Sequence, residues 1–298
     1  MYKITSAWPH QDQIKVEWNL GKRCNYDCSY CPSEIHDNFS PHTDINLLEK
    51  TVDQLCEIGK PLRLSFTGGE PSVHPDFEDL LEYCKRKSIF WINLTTNGTR
   101  PSSWYINNEM FFNHIVFSLH FEYDWQRVVR TINEFYDKTE IDFFVNVMAH
   151  HDHMDSVRKV VKQFKEVGIK FAVRRIRWTE GDHNIFDDLR YQGNDLQWIL
   201  EQDATAKPNV RIDDKEILHA NDVIKLHKNQ FKDWSCNAGL ESLMINWDGD
   251  VHRATCRVGG SLGNIYQGTF RVPTEPITCT RDWCTCAADI PLSKWRPA

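Results

Sequence analysis

The sequence predicts an α/β fold organised around a parallel β-sheet, and three observations carry that expectation. Strand-like runs and helical stretches alternate along the first two-thirds of the chain, the pattern of βα units joined by right-handed crossovers. The helical stretches keep apolar residues three and four apart, as in Ile45, Leu48, Val52, Leu55 and Ile58. Polar residues and glycines stop the strands at one common end, which is where function sits in such folds.

In order, residues 15–20 alternate apolar and polar side chains and feed a loop holding Cys24, Cys28 and Cys31. Asp44 is a natural cap for a helix over 44–59. A second strand over 61–67 ends at Gly68-Gly69-Glu70-Pro71, and a helix follows over 76–87. The third strand, 90–95, stops at Thr96-Asn97-Gly98; the fourth, 114–119, stops at His120. A helix over 124–136 leads to a fifth strand over 141–148, and the helix over 154–167 ends at Gly168, a residue suited to the position just past a helix. A sixth strand covers 170–176. The stretch 181–233 is rich in Asp, Asn, Lys and His and reads as a connector with a short helix over 196–202. Beyond it, Asp248-Gly249 between two short apolar runs signals a hairpin.

With 298 residues, 41% of them hydrophobic and 12% aromatic, the chain can bury a sizeable core. A formal charge of -7 argues against a dedicated nucleic-acid binder. No apolar run is long enough to cross a bilayer, and the N-terminus lacks the apolar stretch of a signal peptide. The expectation is a cytoplasmic protein with no membrane partner. Ten cysteines in such a chain point to metal ligation before disulfides. Cys56 and Cys84 lie on apolar helix faces and read as small buried hydrophobes. Cys24, Cys28 and Cys31 can wrap one metal centre but leave one position without a local ligand, whereas structural zinc sites close all four. An iron–sulfur cluster with an open iron suits that arrangement. Cys236, Cys256, Cys279, Cys284 and Cys286 crowd the tail.

Cys24-x3-Cys28-x2-Cys31, with Tyr30 before the third cysteine, resembles the signature of radical S-adenosylmethionine (radical SAM) enzymes. Thr67-Gly68-Gly69-Glu70-Pro71 resembles the methionine-binding segment of the same family. The resemblance implies a partial (β/α)6 TIM-like barrel over 1–205 and a [4Fe-4S] cluster on Cys24, Cys28 and Cys31. The open iron would be chelated by the amino and carboxylate groups of S-adenosylmethionine. Reductive cleavage then yields methionine and a 5′-deoxyadenosyl radical that abstracts hydrogen from a substrate. In this scheme Gly68 and Gly69 let backbone oxygens reach the cofactor's ammonium, Glu70 adds an anionic acceptor, and Tyr30 lies near the adenine. Asn97, Ser118 and Asn146 are candidates for the ribose or carboxylate, with helix capping an equally weighted role. Arg174 or Arg175 is a candidate partner for the cofactor carboxylate or an anionic substrate, and strand alternation puts only one of them inside, taken here as Arg174.

In the tail, Cys236-Asn237-Ala238-Gly239, Asp248-Gly249-Asp250-Val251, Cys256 and Leu262-Gly263-Asn264-Ile265 resemble the SPASM and twitch auxiliary domains. The spacing from Gly249 to Cys256 is longer than the family's usual one, and Cys279-x4-Cys284-x-Cys286 lacks the ligands for two extra clusters. The resemblance therefore implies a connector over 206–233 and a twitch-like domain over 234–298 with one auxiliary [4Fe-4S] cluster. Its expected ligands are Cys236, Cys256, Cys284 and Cys286, with Cys279 as the alternative. The implied function is peptide modification or small-molecule oxidation, with the auxiliary cluster as electron acceptor and an external one-electron reductant such as flavodoxin or ferredoxin. The rival is a non-catalytic iron–sulfur or zinc protein for electron transfer or complex assembly. His150-His151-x-His153 is read as a solvated loop and helix start ahead of a substrate contact, and Trp178 and Trp247 as packing residues ahead of cavity lining.

Overall fold

The computed structural model describes residues 3–7, 12–180, 183–186, 188–202, 208–213 and 215–296. A short strand, β1 (Lys3–Ser6), precedes six parallel strands: β2 (Ile14–Asn19), β3 (Leu62–Thr67), β4 (Trp91–Thr96), β5 (His114–Leu119), β6 (Asp142–Ala149) and β7 (Phe171–Arg175). The crossovers carry α1 (Ile45–Cys56), α2 (Phe77–Arg86), α3 (Ser102–Asn107), α4 (Trp125–Lys138) and α5 (Met154–Val167). The predicted alternation of strand and helix is thus present, as a curved sheet whose ends do not pair with each other.

Local chemistry sets the helix ends. The Asp44 carboxylate accepts from the Asn46 amide at 2.9 Å, and Asp124 accepts from the Arg127 amide at 3.1 Å. Gly168 ends α5 at φ 88°, in the left-handed region that a side chain disfavours. Leu48, Val52 and Leu55 of α1 are fully buried in the same core as Ile14, Val16 and Trp18 of β2. Burying each side chain of this size contributes about 1.5–3 kcal/mol. The short α3 went unpredicted: six residues offer too little periodicity to read.

Beyond β7 come β8 (Arg177–Glu180), β9 (His183–Phe186), α6 (Asp195–Glu201), β10 (Val210–Ile212), β11 (Glu216–Leu218) and α7 (Ala220–Lys225). The tail adds β12 (Ser235–Cys236), β13 (Ser242–Ile245), β14 (Asp250–His252), β15 (Ser261–Asn264), β16 (Ile277–Thr278) and β17 (Lys294–Trp295). The stretch 206–233, read as a connector, contributes β10 and β11 to a second sheet of order β11-β10-β1-β17-β12-β16. The predicted hairpin forms as β13 and β14, but β13 also pairs in parallel with β2, register Leu243↔Val16 and Ile245↔Trp18. All four β13 residues are buried, so the hairpin covers the edge that β2 would otherwise present. Among the described residues no helix is long and apolar enough to cross a membrane.

The inner face of the parallel sheet is polar. Asn93 Nδ2 donates to Ser65 Oγ at 2.7 Å, and its Oδ1 lies 2.8 Å from His114 Nδ1. Burial pushes the His114 pKa down to about 4. A histidine depressed in this way contributes stability present above its unfolded pKa near 6.5, lost as pH falls toward 4. The metal-free protein is therefore expected to melt at lower temperature as pH falls through this window, and His114→Gln to flatten that dependence. Parallel melting curves for the two proteins between pH 7 and 4 would refute the assignment.

Candidate metal centre and cofactor site

The loop from β2 to α1 is closed at its base by backbone bonds. Cys24 N donates to the Asp37 carbonyl at 2.8 Å and Asp37 N to the Lys22 carbonyl at 2.9 Å. Burial works against the Asp37 charge, but the Ser40 hydroxyl, the amides of Ser40 and Phe39, and Lys22 hold its carboxyl down to about 2. Within the loop, Cys28, Tyr26 and Tyr30 are buried against Ile176, with Cys24 and Cys31 packed beside them. Tyr26 stacks on Tyr123 at 4.0 Å between ring centroids.

Gly68 and Gly69 meet this loop directly. Gly69 N donates to the Gly21 carbonyl at 2.8 Å and Glu70 N to the Arg23 carbonyl at 3.0 Å. A Cβ on Gly69 would sit 2.2 Å from the Arg23 carbonyl oxygen, and one on Gly68 2.6 Å from that of Gly21. The glycines are required because the cysteine loop's own backbone fills the space, a different reason from the cofactor approach that the sequence suggested. Glu70 is 3% exposed. Its Oε1 accepts from Ser72 N at 3.0 Å and Thr96 Oγ1 at 2.8 Å, and its Oε2 accepts from Asn97 N at 2.6 Å. Burial raises its pKa against the pull of these donors. Glu70 therefore ties the end of β3 to the end of β4, beside any role toward a cofactor.

Asn97 Oδ1 closes its own turn on Thr99, while Nδ2 reaches Asn25 Oδ1 at 2.8 Å and Cys24 Sγ at 3.8 Å. Ser118 and Asn146 are half-buried cross-strand neighbours at the upper ends of β5 and β6. Neither caps a helix: α4 is capped by Asp124. Asn146 Oδ1 accepts from Arg174 Nε at 2.8 Å, and Arg174 also donates to Asn221 at 3.0 Å.

Tyr30 is wedged between histidines. Its hydroxyl lies 2.6 Å from His120 Nδ1, which is 3.6 Å from Cys28 Sγ, and its ring centroid is 5.9 Å from that of His150. The atoms crowding His120 push its pKa down to about 4. Glu122 Oε2 accepts from Ser29 N at 3.0 Å and Oε1 lies 3.4 Å from His150 Nε2. Glu122 went unnoticed in the sequence, and its only signal is a place two residues past His120. His150 Nδ1 also accepts from the Asp152 amide, so both its ring nitrogens are engaged. It is buried, which a solvated loop did not anticipate. Trp247 is 40% exposed on the β13–β14 turn, while the side chain of Trp178 lies outside the described residues.

The tail cysteines gather at the second sheet. A small, largely apolar cavity is lined by Cys236, Cys256, Cys279 and Cys284, with Asp289, Trp283 and Lys294 in its wall. Backbone bonds hold the frame: Cys279 N to the Trp234 carbonyl, Cys284 N to the Asn229 carbonyl and Cys256 N to Asp289 Oδ2. Cys286 is absent from that wall; its thiol meets Thr255, near Asp289 and Lys15.

Both sets suit an iron–sulfur cluster. Burial pushes the Cys24 thiol up to about 11, Cys28, Cys31 and Cys256 up to about 12, and raises Cys236 and Cys284. Such thiols stay protonated until a metal cation displaces the proton. A tetrahedral zinc site brings sulfurs to about 3.8 Å of one another. Among the described residues the only group of three or more ligand atoms within 4.8 Å is His150, His151 and Asp152, so neither cysteine set is drawn in to zinc spacing.

Comparisons with known proteins agree with this geometry. Residues 18–139 match the family model described as the Radical SAM superfamily. A stretch of 85 residues is 33% identical to the Fe-coproporphyrin III synthase of Methanosarcina barkeri, covering 28% of this chain and 21% of that protein. The S-adenosylmethionine-dependent nucleotide dehydratase of Selenomonas ruminantium is 32% identical over 87 residues, 28% of this chain and 30% of its own. The antilisterial bacteriocin subtilosin biosynthesis protein AlbA of Bacillus subtilis is 35% identical over 87 residues, 29% of this chain and 19% of its own. The chain thus matches less than a third of the length of these curated relatives. Among solved structures, native anSMEcpe with bound AdoMet superposes with a TM-score of 0.57 at 19% identity, covering 85% of this chain and 78% of that one. Streptococcus suis SuiB bound to S-adenosylmethionine gives 0.58 at 15% identity, with 86% and 64% covered. Those likenesses show the shared fold. Residues 18–139 are thus similar to the Radical SAM superfamily.

Proposed function

We propose that this protein is a radical SAM enzyme that reductively cleaves S-adenosylmethionine and abstracts hydrogen from a peptide or small-molecule substrate. The observation that carries this reading is the direct bonding of the Gly68–Glu70 segment to the cysteine loop at the ends of β2 and β3. Cys24, Cys28 and Cys31 would hold three irons of a [4Fe-4S] cluster. When bound, that cluster supplies one electron to the sulfonium and so generates the carbon radical that takes the hydrogen. The protein's own residues position these groups. Glu70 and Asn97 lock the two strand ends against the loop, with Asn97 Nδ2 facing Cys24. Tyr30 shields the loop from one side and is the candidate neighbour of the adenine. Gly68, Gly69 and the upper ends of β5 to β7, with Ser118, Asn146 and Arg174, are the candidate surface for the cofactor's methionine and ribose.

One auxiliary [4Fe-4S] centre in the tail, built from residues in and around 234–298, would accept an electron from the substrate. The cavity favours Cys236, Cys256, Cys279 and Cys284 as its ligands and leaves Cys286 spare, exchanging the last ligand expected from spacing. A peptide substrate is supported by the relative that makes a bacteriocin and a small molecule by the nucleotide dehydratase. The reductant is a one-electron donor of the flavodoxin or ferredoxin class.

Anaerobically reconstituted and reduced protein is expected to release 5′-deoxyadenosine from S-adenosylmethionine, and Cys28→Ala to release none. No release by the wild type with its cluster intact would leave an electron-transfer or assembly protein as the reading. In the same preparations iron is expected at about eight atoms per chain, dropping by about four in Cys279→Ala. Cys286→Ala is expected to keep it all, and iron loss in that variant would restore Cys286 to the ligand set.

A further inference from the structure

Lys294 on β17 is 2% exposed, and among the described residues it is the one lysine or arginine buried to that degree. Lysine almost never lies so deep without a charged partner. Its Nζ donates to the carbonyls of Asp289 at 2.6 Å, Ile290 at 3.1 Å and Leu292 at 3.0 Å, which engages all three N–H bonds. The ammonium is therefore fixed in place with its hydrogen bonds satisfied. Its charge is another matter. The Asp289 carboxylate, the buried acid nearby, is engaged through Oδ2 by the Thr255 hydroxyl and the Cys256 amide. Nζ also lies 5.4 Å from the centre of the Phe231 ring, and Lys294 lines the cavity together with Cys236, Cys256, Cys279 and Cys284.

β17 pairs with β12 so that Lys294 lies opposite Cys236. An iron–sulfur centre with four thiolate ligands carries a net negative charge that grows on reduction. A fixed positive charge beside such a centre stabilises its reduced form more than its oxidised form.

We propose that Lys294 is the built-in counter-charge of the auxiliary centre, holding its reduction potential up so that it accepts an electron readily. This rests on the auxiliary-cluster reading above, with Cys236, Cys256, Cys279 and Cys284 as ligands. Lys294 touches no substrate and acts through the centre alone.

The test isolates the tail's iron in a full-length background carrying alanine at Cys24, Cys28 and Cys31. Redox titration of that protein, followed by electron paramagnetic resonance, reads one midpoint potential. Lys294→Met is expected to keep its iron and shift the potential downward, while Lys294→Arg stays near the parent value. An unchanged potential in Lys294→Met, or equal shifts in both variants, would overturn the proposal. If Lys294→Met loses its iron, retention in Lys294→Arg alone supports a requirement for charge. Loss in both variants reduces Lys294 to a packing residue and overturns the idea. A parent background without iron refutes the auxiliary cluster itself, an outcome distinct from a cluster whose potential ignores Lys294.

Discussion

Alanine at position 69 is expected to remove the N-terminal cluster while leaving the tail's iron in place. The added Cβ would lie 2.2 Å from the Arg23 carbonyl oxygen, 2.4 Å from that of Lys22 and 2.5 Å from the Arg23 carbonyl carbon. All three are backbone atoms, so no rotamer change relieves the contact. The two loops must part, and the bonds from Gly69 N to Gly21 and from Glu70 N to Arg23 go with them. Overpacking of this kind costs about 1–3 kcal/mol. The larger effect is positional, because Arg23 adjoins Cys24 and a cluster site tolerates little displacement. Iron analysis of reconstituted Gly69→Ala is expected to read about four atoms below wild type, with no 5′-deoxyadenosine formed. Full iron and normal cleavage would show that the loops separate freely, contrary to the packing.

The second large effect is expected at Glu70, from a change of one atom. In Glu70→Gln an NH2 group must replace one carboxylate oxygen. If it replaces Oε2 it faces the Asn97 N–H, and if it replaces Oε1 it faces the Ser72 N–H and the Thr96 hydroxyl. Either way a donor meets a donor in a site with 3% exposure. An unsatisfied buried donor costs about 1–3 kcal/mol, so the melting temperature of a chain this long is expected to fall by roughly 2–5 °C. Glu70→Ala leaves the Ser72 and Asn97 amides unpaired, with the Thr96 hydroxyl able to turn to Tyr105, and is expected to fall further. A carboxylate serving only the cofactor would predict no change in the metal-free protein, so that form is the one to melt.

The six parallel strands were legible because alternation and polar stops coincide, as in the run from Leu62 to Gly68. The face on which the candidate site lies was legible for the same reason. Contacts that link distant segments were not. β1 has four residues and no pattern of its own, and its partners are β10 and β17. Gly68 and Gly69 could be marked as positions that need open space, but not that Gly21 to Arg23 would occupy it. Spacing could not tell Cys279 from Cys286 either. The Cys286 thiol meets Thr255, a contact made across some thirty residues of chain that no spacing rule reveals. His120 and Glu122 are ordinary strand-end residues until Tyr30 and Ser29 arrive from another loop.

The pairing of β13 with β2, and of β1 with β17, bears on the order in which the molecule can be made. During synthesis β2 leaves the ribosome with one edge bare, and β1 emerges with no partner at all. Neither can be completed until a partner far downstream has been translated, since Ile245 joins Trp18 and Trp295 joins Lys3. Contacts between residues so far apart in sequence form slowly and leave strand edges exposed meanwhile. The nascent sheet therefore waits on segments made long after it, and losing β13 and β17 would leave β2 and β1 without those partners.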